Sequence, residues 1–383
     1  MNLVNTTRLA AGYTAATDKH GRESLVVVAK GTYGMPAHAG EAPALLDAQL
    51  PLVTTDVFSG EPGSSAPLHE IDFAPFKPRC DVLVNGRCHA PAGMPATRVP
   101  VGIRVGALVK KFEVVGPRVY EGGPLGGRPG APRPFTVLPI GYDHAYGGVD
   151  RSAGDVAAHR WYPMNHAGVG YHPGASGLAL DGLALPHTQE PGKEVVNADG
   201  NYVPMAFGPL GRAWQARLRW AGTYDRQWLD NRFPFLPEDF DPRYFQSAPE
   251  DQQMDYPRGG EEVVLMNLTP DGRTAFRLPA DLGLPVLFVS RTGEVTEVAG
   301  VVDTFCIEPE EARFTLAWRA SVPLRRNVRE IAQVILGRHA QQLERDRARA
   351  LRMRGKQHFD SLADVVAWSR ARRRARVPQD DRV

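Results

Sequence analysis

The chain has little of what most function classes require. Its 383 residues include three cysteines, Cys80, Cys88 and Cys306. That number is odd and too low for a disulfide framework, and it suits a reducing compartment. The formal net charge is only +2, so no global field points to nucleic acid or to an anionic membrane. No window approaches the roughly 18 apolar residues needed to span a bilayer. Arg8 in the first segment is followed by no long apolar run, which argues against a signal peptide. These absences predict a cytoplasmic chain that works away from the membrane.

Reactive motifs are also lacking. No Gly-x-Ser-x-Gly elbow is present, and Ser176 sits among small residues without that motif. Cys306 stands between Phe305 and Ile307, where a buried structural thiol is the default. His144, His159, His166, His172 and His187 all fall in the Gly-rich middle, but at irregular spacings and without an HExxH or His-x-His pattern. Glu238/Asp239 and Glu261/Glu262 are adjacent carboxylates, and neighbours on an extended chain point apart. Gly122–Gly130 is Gly-rich but opens no helix, so it reads as a loop and not as a phosphate cradle. No catalytic residue, metal or cofactor is therefore expected.

What the sequence does contain is turn chemistry. It carries 39 glycines and 33 prolines, spread without a collagen-like period through its first three quarters. Such a composition suits many short strands joined by tight turns. Gly12–Thr17 and Leu25–Tyr33, separated by the turn residues Asp18–Gly21, predict an N-terminal hairpin. Asn85-Gly86 is a preferred pair for a type I′ turn, so Cys80–Val84 and Arg87–His89 read as a second hairpin. Cys80 and Cys88 then lie on opposite faces, which predicts no disulfide between them. Val99–Val105 and Val109–Val115 read as further strands, with Val101, Ile103 and Val105 facing one way.

Residues 116–209 form a long Gly/Pro-rich region of the kind that is often functional. Arg212–Leu229 reads as a short helix followed by a turn, and the prolines within Phe233–Pro242 exclude regular structure there. From Glu261 the pattern is a meander: Val263–Leu268, the turn Thr269–Gly272, Arg273–Leu278, Val286–Ser290, Glu294–Val298, Val301–Ile307 and Arg313–Ala320.

The end changes character. Val328, Ile331, Ala332, Ile335, His339 and Leu343 recur at helical spacing, and Ser361–Asp364 resembles a capping box. Between Arg338 and Arg376 there are 12 Lys/Arg against 4 Asp/Glu. A solvated helix face explains that surplus without a ligand; an acidic protein is the next reading, and nucleic acid, resting on this tail alone, the last. The fold class expected is mainly β: a multi-stranded antiparallel body of sandwich-like sheets with long Gly/Pro-rich loops and a C-terminal α-helical tail. The body spans residues 1–325, with possible sub-boundaries near 116 and 256, and the basic helical tail spans 326–383.

Several phrases in order along the chain resemble the bacterial family known as domain of unknown function 2169 (DUF2169). They are Val28-Ala-Lys-Gly-Thr-Tyr33, Pro75-Phe-Lys-Pro-Arg-Cys-Asp-Val-Leu-Val-Asn-Gly86 with His89-Ala-Pro91, and Val115-Gly-Pro-Arg-Val-Tyr120. Next comes Tyr142-Asp-His-Ala-Tyr-Gly-Gly148, where His144 and Tyr146 stand in place of the family's usual arginine and phenylalanine. Further blocks are Phe207-Gly-Pro209 with Trp214 and Arg217, Ala221-Gly-Thr-Tyr-Asp225 with Trp228, the proline-rich Arg232–Pro242, and Trp318-Arg319 with Val322-Pro323.

The resemblance implies a non-enzymatic accessory protein of type VI secretion. Its task would be to bind and stabilise the PAAR-like N-terminal region of a secreted effector and to help load it on the spike protein. It supplies no catalytic residues. Aromatic side chains are favoured interface anchors, so Tyr142, Tyr146, Trp161, Tyr162, Tyr171, Phe233 and Phe235 are the candidate partner-binding residues. Two rival readings follow from the same residues. One is a hydrolase, which would need two or more of His144, His159, His166 and His172 to converge with a carboxylate. The other is a carbohydrate- or envelope-binding β module with an exposed aromatic groove.

Overall fold

Alternating β-branched and aromatic residues need a partner face to bury them, and two sheets supply it here. The structure, a computed structural model, describes residues 1–337 apart from 37, 39, 124, 125 and 176. It is mainly β, and among the described residues the α-helices are Gln215–Leu218 and Arg226–Asn231. Neither is long and apolar enough to cross a membrane. Ser176 and the expected helices beyond Gly337 lie outside the described residues.

The larger sheet runs Asn2–Asn5, Ile331–Leu336, Leu284–Ser290, Val295–Glu308, Arg313–Pro323, Glu23–Gly34, Ala10–Thr17. Cys80–Val84 lies parallel to the C-terminal half of Val295–Glu308, and Gln253–Met254 pairs with Cys80–Val84 in turn. The two end strands, Asn2–Asn5 and Ala10–Thr17, are consecutive in sequence and touch, so the sheet curls almost into a barrel. The second sheet runs Thr188–Gln189, Leu108–Val115, Arg98–Val105, Glu262–Met266, Arg273–Arg277.

Both sheets contribute to one core. Val101, Ile103, Val105, Val263 and Phe276 of the second sheet meet Val27, Phe305, Phe314 and Leu316 of the first. The Phe276 and Phe314 rings stack across the interface, 5.3 Å apart. The second sheet joins residues 98–115 to residues 262–277.

The Glu23–Gly34 strand is buried on both faces. Leu25, Val27 and Ala29 enter the shared core, while Lys30 and Thr32 on the other face are covered by residues 45–73. Lys30 pairs with Asp72 at 2.5 Å, and the Thr32 N–H donates to the Gln49 side chain at 2.7 Å. Gly12 permits this cover, because a Cβ there would stand 2.9 Å from Leu52 and Phe73.

The N-terminal hairpin and the Thr269–Gly272 turn form as the sequence predicts, and the strands expected at Val99–Val105 and Val109–Val115 form and pair with each other. Other expectations are corrected. Asn85-Gly86 makes no type I′ hairpin: Cys80–Val84 pairs with Val295–Glu308, and Arg87–His89 pairs with Val137–Pro139. Asn85 spends its groups elsewhere, its backbone N–H on the Ile307 carbonyl and its side-chain amide on the Leu68 carbonyl. The chain therefore passes from one sheet toward the other instead of doubling back. Cys80, Cys88 and Cys306 are all free and buried.

The second correction concerns the run Ile331–Leu336, expected as helix from its spacing. It is a strand, antiparallel to Leu284–Ser290 and parallel to Asn2–Asn5. A strand buried on both faces reads as a continuous apolar run, and so matches a helical period over a few residues. The β body thus extends to Leu336 and not only to 325. The stretches Glu294–Val298 and Val301–Ile307 are one strand, Val295–Glu308, whose register shifts between Val302 and Thr304.

That irregularity sits beside a buried network of charges. Lys77 and Asp81 pair at 2.7 Å with side chains 4% and 0% exposed. Asp81 accepts from five donors: Lys77 Nζ, Gln246 Nε2, the Ser247 N–H and hydroxyl, and the Ala248 N–H. Asp303 accepts from Arg319 Nε at 2.5 Å. Burial alone would lower the Lys77 pKa, but Asp81, Asp303 and Glu70 outweigh it and raise it above its usual value. Such a pair is costly to break, because the survivor becomes an uncompensated buried charge. Asp81→Ala is expected to destabilise the protein by about 3–5 kcal/mol in a denaturant titration. A loss below about 1 kcal/mol, the value of an exposed pair, would contradict this role.

Candidate functional site

The histidines of the middle region do not gather. His144 and His187 stack, with ring centres 5.0 Å apart and planes at 5°. His166 packs between Trp161 and Trp214, and His172 lies toward Asp150. Among the described residues no group of three or more His, Cys, Asp or Glu side chains could hold a metal ion. The thiols are inert by environment: burial pushes Cys88 and Cys306 up to about 12 and raises Cys80 as well.

The aromatics proposed as anchors divide into two groups. Tyr142, Tyr146 and Tyr162 are buried and Tyr171 is half-buried. Tyr146 meets Tyr162 and Tyr202 edge-on, each at 4.9 Å, and Tyr162 meets Tyr171 at 5.1 Å. The Tyr146 hydroxyl donates to the Ala198 carbonyl and the Tyr162 hydroxyl to the Tyr202 carbonyl. Together with Tyr120, Leu180 and Leu185 they form a second small core. A long loop region has few ladders to hold it, and these rings hold the loops together. Tyr142 does the same work against Trp214 in a third cluster.

Trp161, Phe233 and Phe235 remain exposed. Trp161 stands over His166. Phe233 belongs to an apolar cluster with Tyr224 and Trp228; Leu229 is exposed on the same short helix as Trp228, and the Phe235 ring lies against Gly21. Phe233 is 64% exposed, Tyr224 54% and Leu229 49%. The Trp228 ring touches Tyr224 at 4.7 Å and Phe233 at 5.8 Å.

Local chemistry fixes this patch. The Asp225 carboxylate caps the helix Arg226–Asn231 by accepting the Trp228 N–H at 2.8 Å. The Trp228 indole N–H donates to the Phe235 carbonyl at 2.9 Å, which ties the proline-rich loop to the helix. Asp239 accepts both the N–H and the hydroxyl of Thr223. Gly222, at φ +81°, permits that closure, since a Cβ there would stand 2.8 Å from Pro237. Phe240 is buried and anchors the far end. Arg232 donates to the Lys19 carbonyl and Lys19 to the Glu238 carbonyl, which pins the loop to the tip of the N-terminal hairpin.

Sequence reasoning missed Tyr224, Trp228 and Leu229. The signal available was the Asp225 cap, which starts a helix beyond Ala221 and carries two of the three on its first turns. Within Phe233–Pro242, Phe240 is buried and the Phe235 ring lies against Gly21 of the N-terminal hairpin, whereas Phe233 is exposed.

Residues 20–319 match the model of a family described as an uncharacterized protein conserved in bacteria (DUF2169). The chain belongs to this family. No curated protein and no solved structure matches it.

In this DUF2169 chain the family-like phrases are mostly fold-making. Lys30, Lys77, Asp81 and Arg319 are the buried ionic residues described above. Arg118 and Arg217 are buried too, held by Glu194 and Glu70. The block Ala221–Asp225 and the loop Arg232–Pro242 differ from the rest, because between them they build the exposed patch.

The stacked histidines make a separate, testable contribution to stability. Burial, with His144 beside it, pulls His187 down to about 4 from its usual 6.5, against the opposing effect of the hydrogen bond its ring donates to the Pro139 carbonyl. The folded state thus binds this proton less readily than the unfolded chain. The His187 contribution is fully present above pH 6.5 and is lost as pH falls toward 4. Glu308 acts in a lower window: hydrogen bonds from His69 and Arg313 hold it at about 2 against the usual 4.5. The unfolding midpoint should fall between pH 6.5 and 4, and His187→Gln should flatten that part of the profile. An unchanged slope in the variant would show that His187 is not responsible.

Proposed function

We propose that this DUF2169 protein is a non-enzymatic adaptor. It binds and stabilises the PAAR-like N-terminal region of a type VI secretion effector and helps load it onto the spike. The observation that carries the reading is the ordered apolar cluster of Tyr224, Trp228 and Phe233, with Leu229 and Phe235 also exposed on the same segment. Contiguous exposed apolar side chains mark contact sites, and aromatic rings are the commonest anchors of protein interfaces. Here the rings are held in place by Asp225, Asp239 and the Trp228 indole, so little conformational entropy is lost when a partner covers them.

The ring geometry also favours a protein over a sugar. Tyr224 and Phe233 meet Trp228 at 69° and 87°. They form a ridged surface that suits packing by side chains, not a flat platform for a pyranose ring.

The test is co-purification with the PAAR-like effector encoded nearest the gene. The wild-type chain is expected to retain the effector through size exclusion. Tyr224→Ser with Phe233→Ser should reduce retention at least tenfold while leaving the melting temperature nearly unchanged, because exposed substitutions shift stability by only about 0.5 kcal/mol. Full retention by the double variant would remove the patch from the reading. Failure of the wild-type chain to bind an effector that is soluble alone would remove the adaptor itself.

A further inference from the structure

A cavity of about 280 Å³ opens beside Trp220. Its walls are largely apolar and include Met164, Leu210, Ala216, Trp220 and Ala248. The ionic groups around it are matched. Arg219 pairs with Glu250 and Arg243 with Asp241. Lys110 pairs with Asp251, and Arg217 with Glu70. Each of these cations has its own carboxylate, so an ionic ligand would enter as a charge without a partner.

One polar group is not matched. Tyr142 lines the cavity and is only 2% exposed. Its backbone carbonyl accepts from Asn165 and from the Ala145 N–H, but among the described residues its hydroxyl has no hydrogen-bond partner. The ring is held edge-on against Trp214 at 5.2 Å. Burial, with the Asp251 carboxylate within electrostatic reach, raises the hydroxyl well above its usual pKa, so it remains a donor. A buried donor left unmet is costly. Lys110 lies beside the same carboxylate. Its ammonium donates to Asp251 and Gln252, and a lysine carries three donors, so one is unspent. A dry apolar cavity of about 150 Å³ takes a single benzene-sized ring. This one, at about 280 Å³, has room for two fused rings.

We propose that the cavity beside Trp220 binds a small neutral molecule of two fused rings, whose carbonyl oxygen accepts from the Tyr142 hydroxyl and the Lys110 ammonium. This site is independent of the adaptor reading. Three observations select its ligand. The matched ion pairs call for a neutral molecule, the volume sets its size, and the unspent donors require an acceptor oxygen on an apolar frame. A side chain inserted by a partner protein fits less well, because Phe and Leu bring no acceptor and Trp only a donor.

The experiment is a calorimetric titration of the full chain with indanone, with indane, which has the same frame without the oxygen, and with indane carboxylate. Indanone should bind. Indane should bind about tenfold more weakly, the value of one good hydrogen bond, and the carboxylate no better than indane. Tyr142→Phe keeps the ring and removes the hydroxyl, so it should bring indanone to the level of indane. The same variant should melt no lower than the wild-type chain, whereas loss of a hydroxyl bonded within the protein would lower its melting temperature. Ala216→Leu, which fills the cavity, should abolish binding of both molecules in a chain that still melts cooperatively. No binding of indanone, equal binding of indanone and indane, unaltered affinity in Tyr142→Phe, or tighter binding of the carboxylate would each overturn the proposal. N-acetyl-tyrosine amide binding as tightly as indanone would assign the cavity to a partner's side chain and would overturn it as well.

Discussion

The buried Lys77–Asp81 pair is the constraint on which the rest depends, because three separate stretches of chain must meet around it. Asp81 accepts donors from residues 246–248, and Lys77 reaches Thr304 on the long central strand. Neither charge tolerates loss of its partner in so dry a place, so the geometry of all three stretches is fixed together. Gln252 extends the seam by donating to the Val82 and Phe207 carbonyls. Residues 246–253 are thereby sewn to the edge of the larger sheet. That segment is also one wall of the cavity beside Trp220, so the ionic node fixes that wall.

Much of the fold was legible in the sequence. Alternation and turn residues placed the N-terminal hairpin, the strands Val99–Val105 and Val109–Val115 and the return at Thr269–Gly272, since each is decided by residues close together along the chain. Asn85-Gly86 and Ile331–Leu336 were not legible for one shared reason. Both depend on strands distant in sequence, and local patterns cannot show that Asn85 is claimed by Ile307 and Leu68, or that Ile331–Leu336 fits between Leu284–Ser290 and Asn2–Asn5. The candidate site was half legible. Phe233 and Phe235 could be named because prolines exclude them from a ladder. The tyrosines of the Gly-rich middle could not be separated from them, because an aromatic that closes a loop and one that faces a partner look alike in sequence.

The phrases that resemble the family therefore divide by role. Those bearing Lys30, Lys77, Asp81, Arg118 and Arg319 make a scaffold whose polar groups are satisfied internally. Those bearing Tyr224, Trp228, Phe233 and Phe235 leave apolar rings in solvent on a segment closed by hydrogen bonds. The proposed adaptor role would use this division: a rigid interior with its charges matched, and a small surface with its apolar groups unmatched.

The most direct measurement is amide hydrogen exchange of the full chain, alone and with the PAAR-like effector encoded nearest its gene. The account predicts that slowed exchange is concentrated in residues 218–243, with the two sheets unchanged. Protection confined to the open strand edges, Ala10–Thr17 or Arg273–Arg277, would mean that the partner adds to a sheet, and would contradict the account.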